Sequence, residues 1–273
     1  MQAKPSWSPP TGPLGRLSAA AEVRAAALVA RRAELESLAA TAGARPSFAA
    51  ALRRADIAVI AELKGRSPSK GVIDATLDAG ARTSAYARGG ASALSVLTEP
   101  GEFGGSPDDL RAAREATSLP VLKKDFHVHP LQLLEAAGLG ASAVLLIARA
   151  LTPSQIGGLA EEATALGLEV LVEVRSDDEL ELALEIDYAV IGVNSRNLET
   201  LEIDPTVTDR LIAAVPPHRV AVAESGVSTR SDVERAAAAG ADAVLVGSAL
   251  SGSSDPAAAV AGLVGVARRQ RER

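Results

Sequence analysis

The sequence lacks cysteine, which excludes a disulfide framework and any thiolate zinc site. Aromatic residues are scarce, at three Phe, two Tyr and one Trp, so each position that holds one is informative. There is no basic excess. Lys and Arg number 28 against 34 Asp and Glu, a formal net charge of −6, which argues against the basic stripe of a nucleic-acid surface. No apolar run reaches the roughly 18 residues of a membrane span. The opening stretch MQAKPSWSPPTGPLGRLSAA has neither the long apolar core nor the clear cleavage signal of a secretory leader. These absences lead to the expectation of a soluble cytoplasmic protein that binds neither nucleic acid nor membrane.

What is present is a chain of 273 residues, enough for one large α/β domain with a sizeable core. Residues 1–14 are rich in Pro, Ser and Gly and read as a flexible lead that carries Trp7. Residues 15–42 are strong helix formers with apolar positions at helical spacing, and ARPSF ends them. A regular alternation then begins. Short β-rich runs fall at 57–63, 92–97, 119–124, 142–147, 168–174, 187–193, 219–223 and 242–246. Amphipathic segments separate them, and some carry helix-start signals such as Thr152-Pro153. The strands are nearly continuous apolar runs, as parallel strands covered on both faces are. Eight β/α repeats predict a (β/α)8 TIM barrel over residues 51–273, with residues 1–50 as an N-terminal helical extension packed on it. A doubly wound sheet would show a G-x-G-x-x-G turn after an early strand, and none is present.

In such a barrel the chemistry lies at the C-terminal ends of the strands. The first strand runs into IAVIAELKGRSPSKG. This is not a phosphate-cradling P-loop, which needs G-x-x-x-x-G-K-[ST] opening a helix. Period-2 alternation instead puts Glu62 and Lys64 on one face, an acid beside a base, followed by Ser67 and Pro68. Strand three ends in LKKDF, with Lys124 and Phe126. Strand four is apolar through Leu145. Glu173 sits in an otherwise apolar run, where an unpaired carboxylate would be costly. Strand six ends with Asn194 and Arg196, strand seven with Glu224, Ser225 and Gly226, and strand eight with Gly247 and Ser248.

Each residue also has an ordinary explanation. A strand-end lysine is usually a solvated rim charge, and Ser-Gly pairs are often plain turns. His127 and His129 have the spacing of a metal pair but no third ligand nearby, so they read as a surface loop and no metal site is expected. Phe103 and Phe126, two of three phenylalanines, both fall at the mouth and suggest a flat aromatic ligand. The turns after strands seven and eight stand where such barrels commonly hold phosphate. Together the list predicts acid–base chemistry on a phosphorylated small molecule with an aromatic part.

The segments AELKGRSPSKG, SVLTEPGEFGGS, LKKDFHV, AVLLIARAL, VLVEV, GVNSRNLETLEID, VAESGV and VLVGSAL, in this order, resemble the indole-3-glycerol phosphate synthase family. The resemblance implies a (β/α)8 barrel with an N-terminal helical segment, working in tryptophan biosynthesis without a cofactor. It implies that Lys124 is the general acid of ring closure and that Lys64 lies near the substrate carboxylate and the departing hydroxyl. Glu62 and Glu173 would be acid–base partners, with Glu224 and Asn194 fixing the anilino and hydroxyl groups. Ser67, Ser225, Gly226, Gly247 and Ser248 would hold the phosphate. Pro68, Phe103, Phe126 and Leu145 would wall the ring, and Arg196 would organise the first and sixth loops. A lysine that donates near pH 7 is expected to have its pKa depressed from about 10.4 by burial or by a second cation. Gly65 replaces a bulkier or basic residue and suggests a mobile first loop, and His127 is expected to line the rim. A monomer or weak homodimer is expected. Two other readings stay open: a paralogue acting on a modified anthranilate, and a non-catalytic barrel that binds a phosphorylated ligand. An isomerase barrel is a further rival, although one acid and one base would suffice for it.

Overall fold

The computed structural model describes residues 7–68, 71–74 and 77–271. Eight parallel strands close into a barrel in chain order. They are β1 (Ala58–Leu63), β2 (Ala93–Leu97), β3 (Val121–Lys124), β4 (Ala143–Ile147), β5 (Glu169–Val174), β6 (Val190–Asn194), β7 (Ala221–Glu224) and β8 (Ala243–Val246), which pairs back onto β1. Nearly every strand residue is buried, because alternate side chains enter two different cores. Ile60, Leu122, Leu145, Leu171, Val222 and Leu245 fill the barrel interior. Val59, Val96, Val144, Val172 and Val244 point outward under the helices. That double burial is why the strands read as continuous apolar runs.

The N-terminal segment touches both ends of this barrel. Helix α1 (Gly12–Leu28) begins three residues earlier than the spacing predicts, with Pro13 in its first turn. Its Leu14 N–H donates to Leu198 O at 3.1 Å, at the mouth, and Leu14, Leu17 and Ala21 join the interior cluster. A 3-10 turn at Val29–Arg31 interrupts the expected single helix, and α2 (Arg32–Thr41) follows. Helix α3 (Phe48–Leu52) plugs the opposite end. Phe48 and Leu52 are fully buried with Ala58 and Ile60, and the Ala49 N–H donates to the carboxylate of Glu169, the first residue of β5, at 2.6 Å. The expected lead is partly placed as well, since Ser8 O accepts from Arg149 at 2.8 Å and Trp7 is 38% exposed. Residues 1–6 of that lead lie outside the described residues.

The crossovers are α4 (Ala79–Arg88), α5 (Pro107–Ala116), α6 (Pro130–Gly138), α7 (Pro153–Ala165), α8 (Asp177–Leu184), α9 (Pro205–Ala214) and α10 (Arg230–Ala239). Short helices α11 (Ser248–Ser251) and α12 (Pro256–Ala261) follow β8. Helix starts are sharp where Ser106, Thr152, Ser176, Asp204 and Thr229 cap first-turn N–H groups. Helix α6 is capped by His129, whose side chain accepts the Leu131 N–H at 3.1 Å, so this histidine starts a helix. Leu28 and Leu35 pack with Leu131 of α6 and hold the α1–α2 corner against the ring.

A chain beginning at residue 46 keeps the α3 plug and loses the α1 and α2 contacts. It is expected to retain the barrel's circular dichroism, with a thermal midpoint at least about 5 °C lower, since 1 kcal/mol shifts a domain of this size by about 2–4 °C. Insoluble protein, or an unchanged midpoint, would contradict this division of roles.

Candidate active site

At the C-terminal ends of the strands the inward positions change from apolar to charged. Glu62, Lys124, Glu173, Asn194 and Glu224 all line one cavity of about 320 Å³, with Lys64 just beyond β1. The same cavity is lined by Ser67, Pro68, Phe103, Phe126, Leu145, Arg196, Ser225, Gly226, Gly247 and Ser248. The residues expected to act on or bind the substrate therefore all reach one space.

Two ion-paired groups organise it. The Lys64 ammonium donates to Glu62 Oε1 at 2.8 Å, as the shared strand face requires. Across the barrel Lys124 Nζ lies 2.9 Å from Glu173 Oε2 and 3.2 Å from Glu224 Oε2. Asn194 Nδ2 donates to the other Glu173 oxygen at 2.9 Å and takes the Arg196 N–H on its own Oδ1 at 2.9 Å. Burial opposes charge on Lys124, but the fields of Glu173, Glu224 and Glu62 outweigh it and hold its pKa above the ordinary value. The expected depression is thus overturned, because the lysine sits among carboxylates. Burial pushes Glu224 up to about 8, against the pull of Lys124 and with the push of Glu173. Burial also works against ionised Glu173, yet Lys124 and the Asn194 amide keep its pKa below normal. One member of the acid pair therefore holds a proton near neutrality while the other stays ionised.

The remaining walls divide by chemistry. Phe103 and Phe126 face each other with centroids 6.4 Å apart and planes tilted by 36°. Ser225 and Gly226 take left-handed backbone at φ 63° and 69°, which turns the chain just after Glu224. Arg196 organises its own loop, its guanidinium donating to Leu201 O at 2.9 Å while its backbone bridges Ile203. The loop expected to be mobile at Gly65 includes residues 69, 70, 75 and 76, which lie outside the described residues. Gly65 itself is tied down, its carbonyl accepting from the Ile73 and Asp74 N–H groups at 2.8 and 3.1 Å.

His127 departs from expectation. It is 3% exposed rather than on the rim, and its Nδ1 lies 2.8 Å from Leu145 O. Burial, with the Lys123 charge beside it, lowers its pKa to about 3 and leaves a neutral core ring. Among the described residues no group of three or more His, Cys, Asp or Glu side chains could hold a metal ion.

A family model described as indole-3-glycerol phosphate synthase matches residues 16–263. The chain belongs to the indole-3-glycerol phosphate synthase family. Indole-3-glycerol phosphate synthase 2 of Streptomyces coelicolor is 49% identical over 233 residues, covering 85% of this chain and 90% of the relative. The indole-3-glycerol phosphate synthase of Mycolicibacterium gilvum is 46% identical over 89% of this chain and 90% of its own. The solved 3-hexulose-6-phosphate synthase of Salmonella typhimurium shares the fold at TM-score 0.59 and 16% identity, covering 76% of this chain and 96% of that one.

Sequence reasoning missed the space-making role of two glycines around this cavity. A Cβ at Gly192 would stand 2.1 Å from Glu224 Oε1 and 2.6 Å from Leu171 Cδ2, so β6 needs glycine beside the buried acid. A Cβ at Gly247 would stand 2.2 Å from Glu62 Oε1 and 2.6 Å from Lys64 Nζ, so this glycine, chosen from the sequence for phosphate, also makes space for the first ion pair. Ser251 in α11 fixes the end of β1, donating to Glu62 O at 3.0 Å and accepting the Lys64 N–H at 3.3 Å. Gly192 lies between two apolar residues in a strand, where nothing in the sequence distinguishes it from a packing glycine.

Gly192→Ala is expected to displace the Glu224 carboxyl and lower synthase turnover on the order of a hundredfold, the usual cost of a 1 Å misplacement. The barrel should stay folded by circular dichroism. Near-normal kcat would show that the position of Glu224 is not critical.

Proposed function

We propose that this protein converts 1-(2-carboxyphenylamino)-1-deoxyribulose 5-phosphate into indole-3-glycerol phosphate, releasing CO2 and water. The observation that carries the assignment of roles is the buried Lys124 ammonium, held by Glu173 and Glu224 inside a cavity that Phe103 and Phe126 also line. Family membership supplies the reaction.

Ring closure joins the aromatic carbon that bears the carboxylate to the ketone carbon. Negative charge grows on the ketone oxygen, and Lys124 gives it a proton. The neighbouring carboxylates keep Lys124 charged, so its proton is in place when the more basic alkoxide forms. The bond to CO2 then breaks, and its electron pair restores the aromatic ring. In the second half the hydroxyl leaves as water after gaining a proton, and the carbon next to nitrogen loses one. Lys64 and the proton-bearing Glu224 are the donors that remain for the hydroxyl, and ionised Glu173 is the base. Ser67 and the turns at Ser225-Gly226 and Gly247-Ser248 would hold the phosphate, so that binding energy far from the reacting atoms positions them.

Purified protein incubated with the carboxyphenylamino substrate should form product, followed by indole absorbance or fluorescence. Lys124→Ala should lower kcat about 10²–10⁴-fold, the usual worth of a general acid, while substrate still binds. No product above background from the wild type would sink the activity. Near-normal kcat in Lys124→Ala would move the donor elsewhere.

The proton on Glu224 gives a pH signature. The group is competent as an acid below a pKa of about 8 and loses that competence as pH rises through it. The kcat/KM profile should therefore bend downward near pH 8, and Glu224→Gln should abolish that limb along with most of the turnover. A wild-type profile that stays level through pH 9 would assign the proton to another group.

A further inference from the structure

We propose that Arg24, in the C-terminal half of α1 and outside the eight repeats, is a positioning residue that sets the separation of the two aromatic walls. Its guanidinium reaches two carboxylates on neighbouring strand ends, with Nη2 2.7 Å from Asp125 Oδ1 and Nη1 3.5 Å from Glu99 Oε1. Both carboxylates are nearly solvent-free, at 6% and 3% side-chain exposure. Each holds the backbone of one wall. Asp125 Oδ1 accepts the Phe126 N–H at 2.8 Å. Glu99 accepts the N–H groups of Gly101, Glu102 and Phe103 at 2.9, 2.8 and 3.1 Å, which folds the loop after β2 around it. The Arg66 N–H then donates to Phe103 O at 3.1 Å, passing the same constraint to the first loop.

The charges explain why a cation is needed there. Asp125 has a second cation, Lys123, at 3.5 Å, and a hydroxyl donor in Thr98 at 2.6 Å. Among the ion pairs of the described residues, Arg24 is the cation placed against Glu99 and the only bridge between Glu99 and Asp125. Without it, two buried carboxylates would face each other across the gap between the loops, and like charges at low dielectric repel. The loop that carries Phe103 lies outside the sheet, whereas Phe126 follows two residues after the end of β3. Removing Arg24 therefore widens the aromatic slot.

This inference rests on the synthase reading only for its kinetic arm. An aromatic slot grips the ring equally in the ground and transition states, so widening it should raise KM and spare kcat. Arg24→Met keeps the aliphatic stem and removes the charge. It is expected to raise KM roughly threefold to thirtyfold, the range for residues that act through a contact network, with kcat within about twofold of wild type. Glu99→Gln should give the same split, and the double variant should be no worse than the worse single variant, because the two residues act as one unit. Unchanged KM in Arg24→Met, or full additivity in the double variant, would overturn the role. If Arg24→Met does not fold, Glu99→Gln decides alone: raised KM with kept kcat supports the clamp, and unchanged KM overturns it. A crystal structure of the soluble variant gives a reading that does not depend on turnover. A Phe103–Phe126 separation beyond 6.4 Å supports the clamp, and an unchanged separation refutes it. A wild type without activity would count against the synthase reading and leave that structural test intact.

Discussion

The mouth of the barrel depends on packing five ionisable groups together, three of them buried, without leaving any of them alone. Glu62, Glu173 and Glu224 are each at most 5% exposed, and Lys64 and Lys124 are the cations set among them. A lone ion in that position costs several kcal/mol, and removing one partner of a buried pair strands the other. Three carboxylates against two ammonium groups leave one negative charge in excess. Burial, with the Glu173 charge beside it, raises Glu224 to about 8 against the pull of Lys124, so this acid carries the proton. The proton that balances the buried charge is then available to a reaction that needs an acid.

That balance fixes the surrounding architecture. Glu173 stands in register with Gly192 on β6, and Asn194 stands in register with Glu224 on β7. A layer of a barrel interior holds only so much volume, so a long acid on one strand needs a small residue on the next. Gly192 and Gly247 supply that space for Glu224 and Glu62. Below this layer the interior returns to Leu171, Val222 and Leu245, which exclude water and keep the charges strongly coupled to one another.

The barrel was legible because its periodicity is redundant. Eight apolar runs, each separated by a helix-forming segment, leave few other ways to fold, and errors of one to three residues at the ends do not alter the closure. The charged site was legible for a related reason. Glu173 in an apolar run and the Glu62/Lys64 pair break a pattern that is otherwise uniform, so they stand out against it. Other features were not legible because their meaning lies in a contact distant in sequence. Gly192 gains its role from Glu224, 32 positions later, and Ser251 gains its own from the backbone at Glu62, 189 positions earlier. The lysine pKa failed for the same reason. Sequence places Lys124 near another lysine, whereas the fold puts two carboxylates within 3.2 Å of it. His127 failed because it follows a charged strand end, Lys123-Lys124-Asp125, in a stretch that reads as a loop, while the fold puts its ring against a strand carbonyl.

A closed barrel has two open ends with opposite requirements, and one N-terminal segment meets both. The bottom must be sealed, since an uncovered end would let water into the apolar interior, and the fully buried Phe48 and Leu52 of α3 close it. The mouth must admit substrate, so it cannot be plugged. There α1 places Leu14 and Leu17 at the edge, leaves the centre open, and reaches the loops with polar contacts instead. Thr11 donates through its N–H and hydroxyl to the Glu199 carboxylate at 2.7 and 2.9 Å, and Arg149 pairs with that same carboxylate. Backbone at Gly12 passes so close to Glu199 O that a Cβ would meet it at 2.2 Å, which explains glycine with φ 58° at the first residue of α1. Directional hydrogen bonds fix loop positions without filling space, and apolar packing fills space without fixing direction. The segment uses both at each end, with apolar packing dominating where Phe48 and Leu52 shut the barrel and the Thr11 and Gly12 contacts to Glu199 added where it stays open.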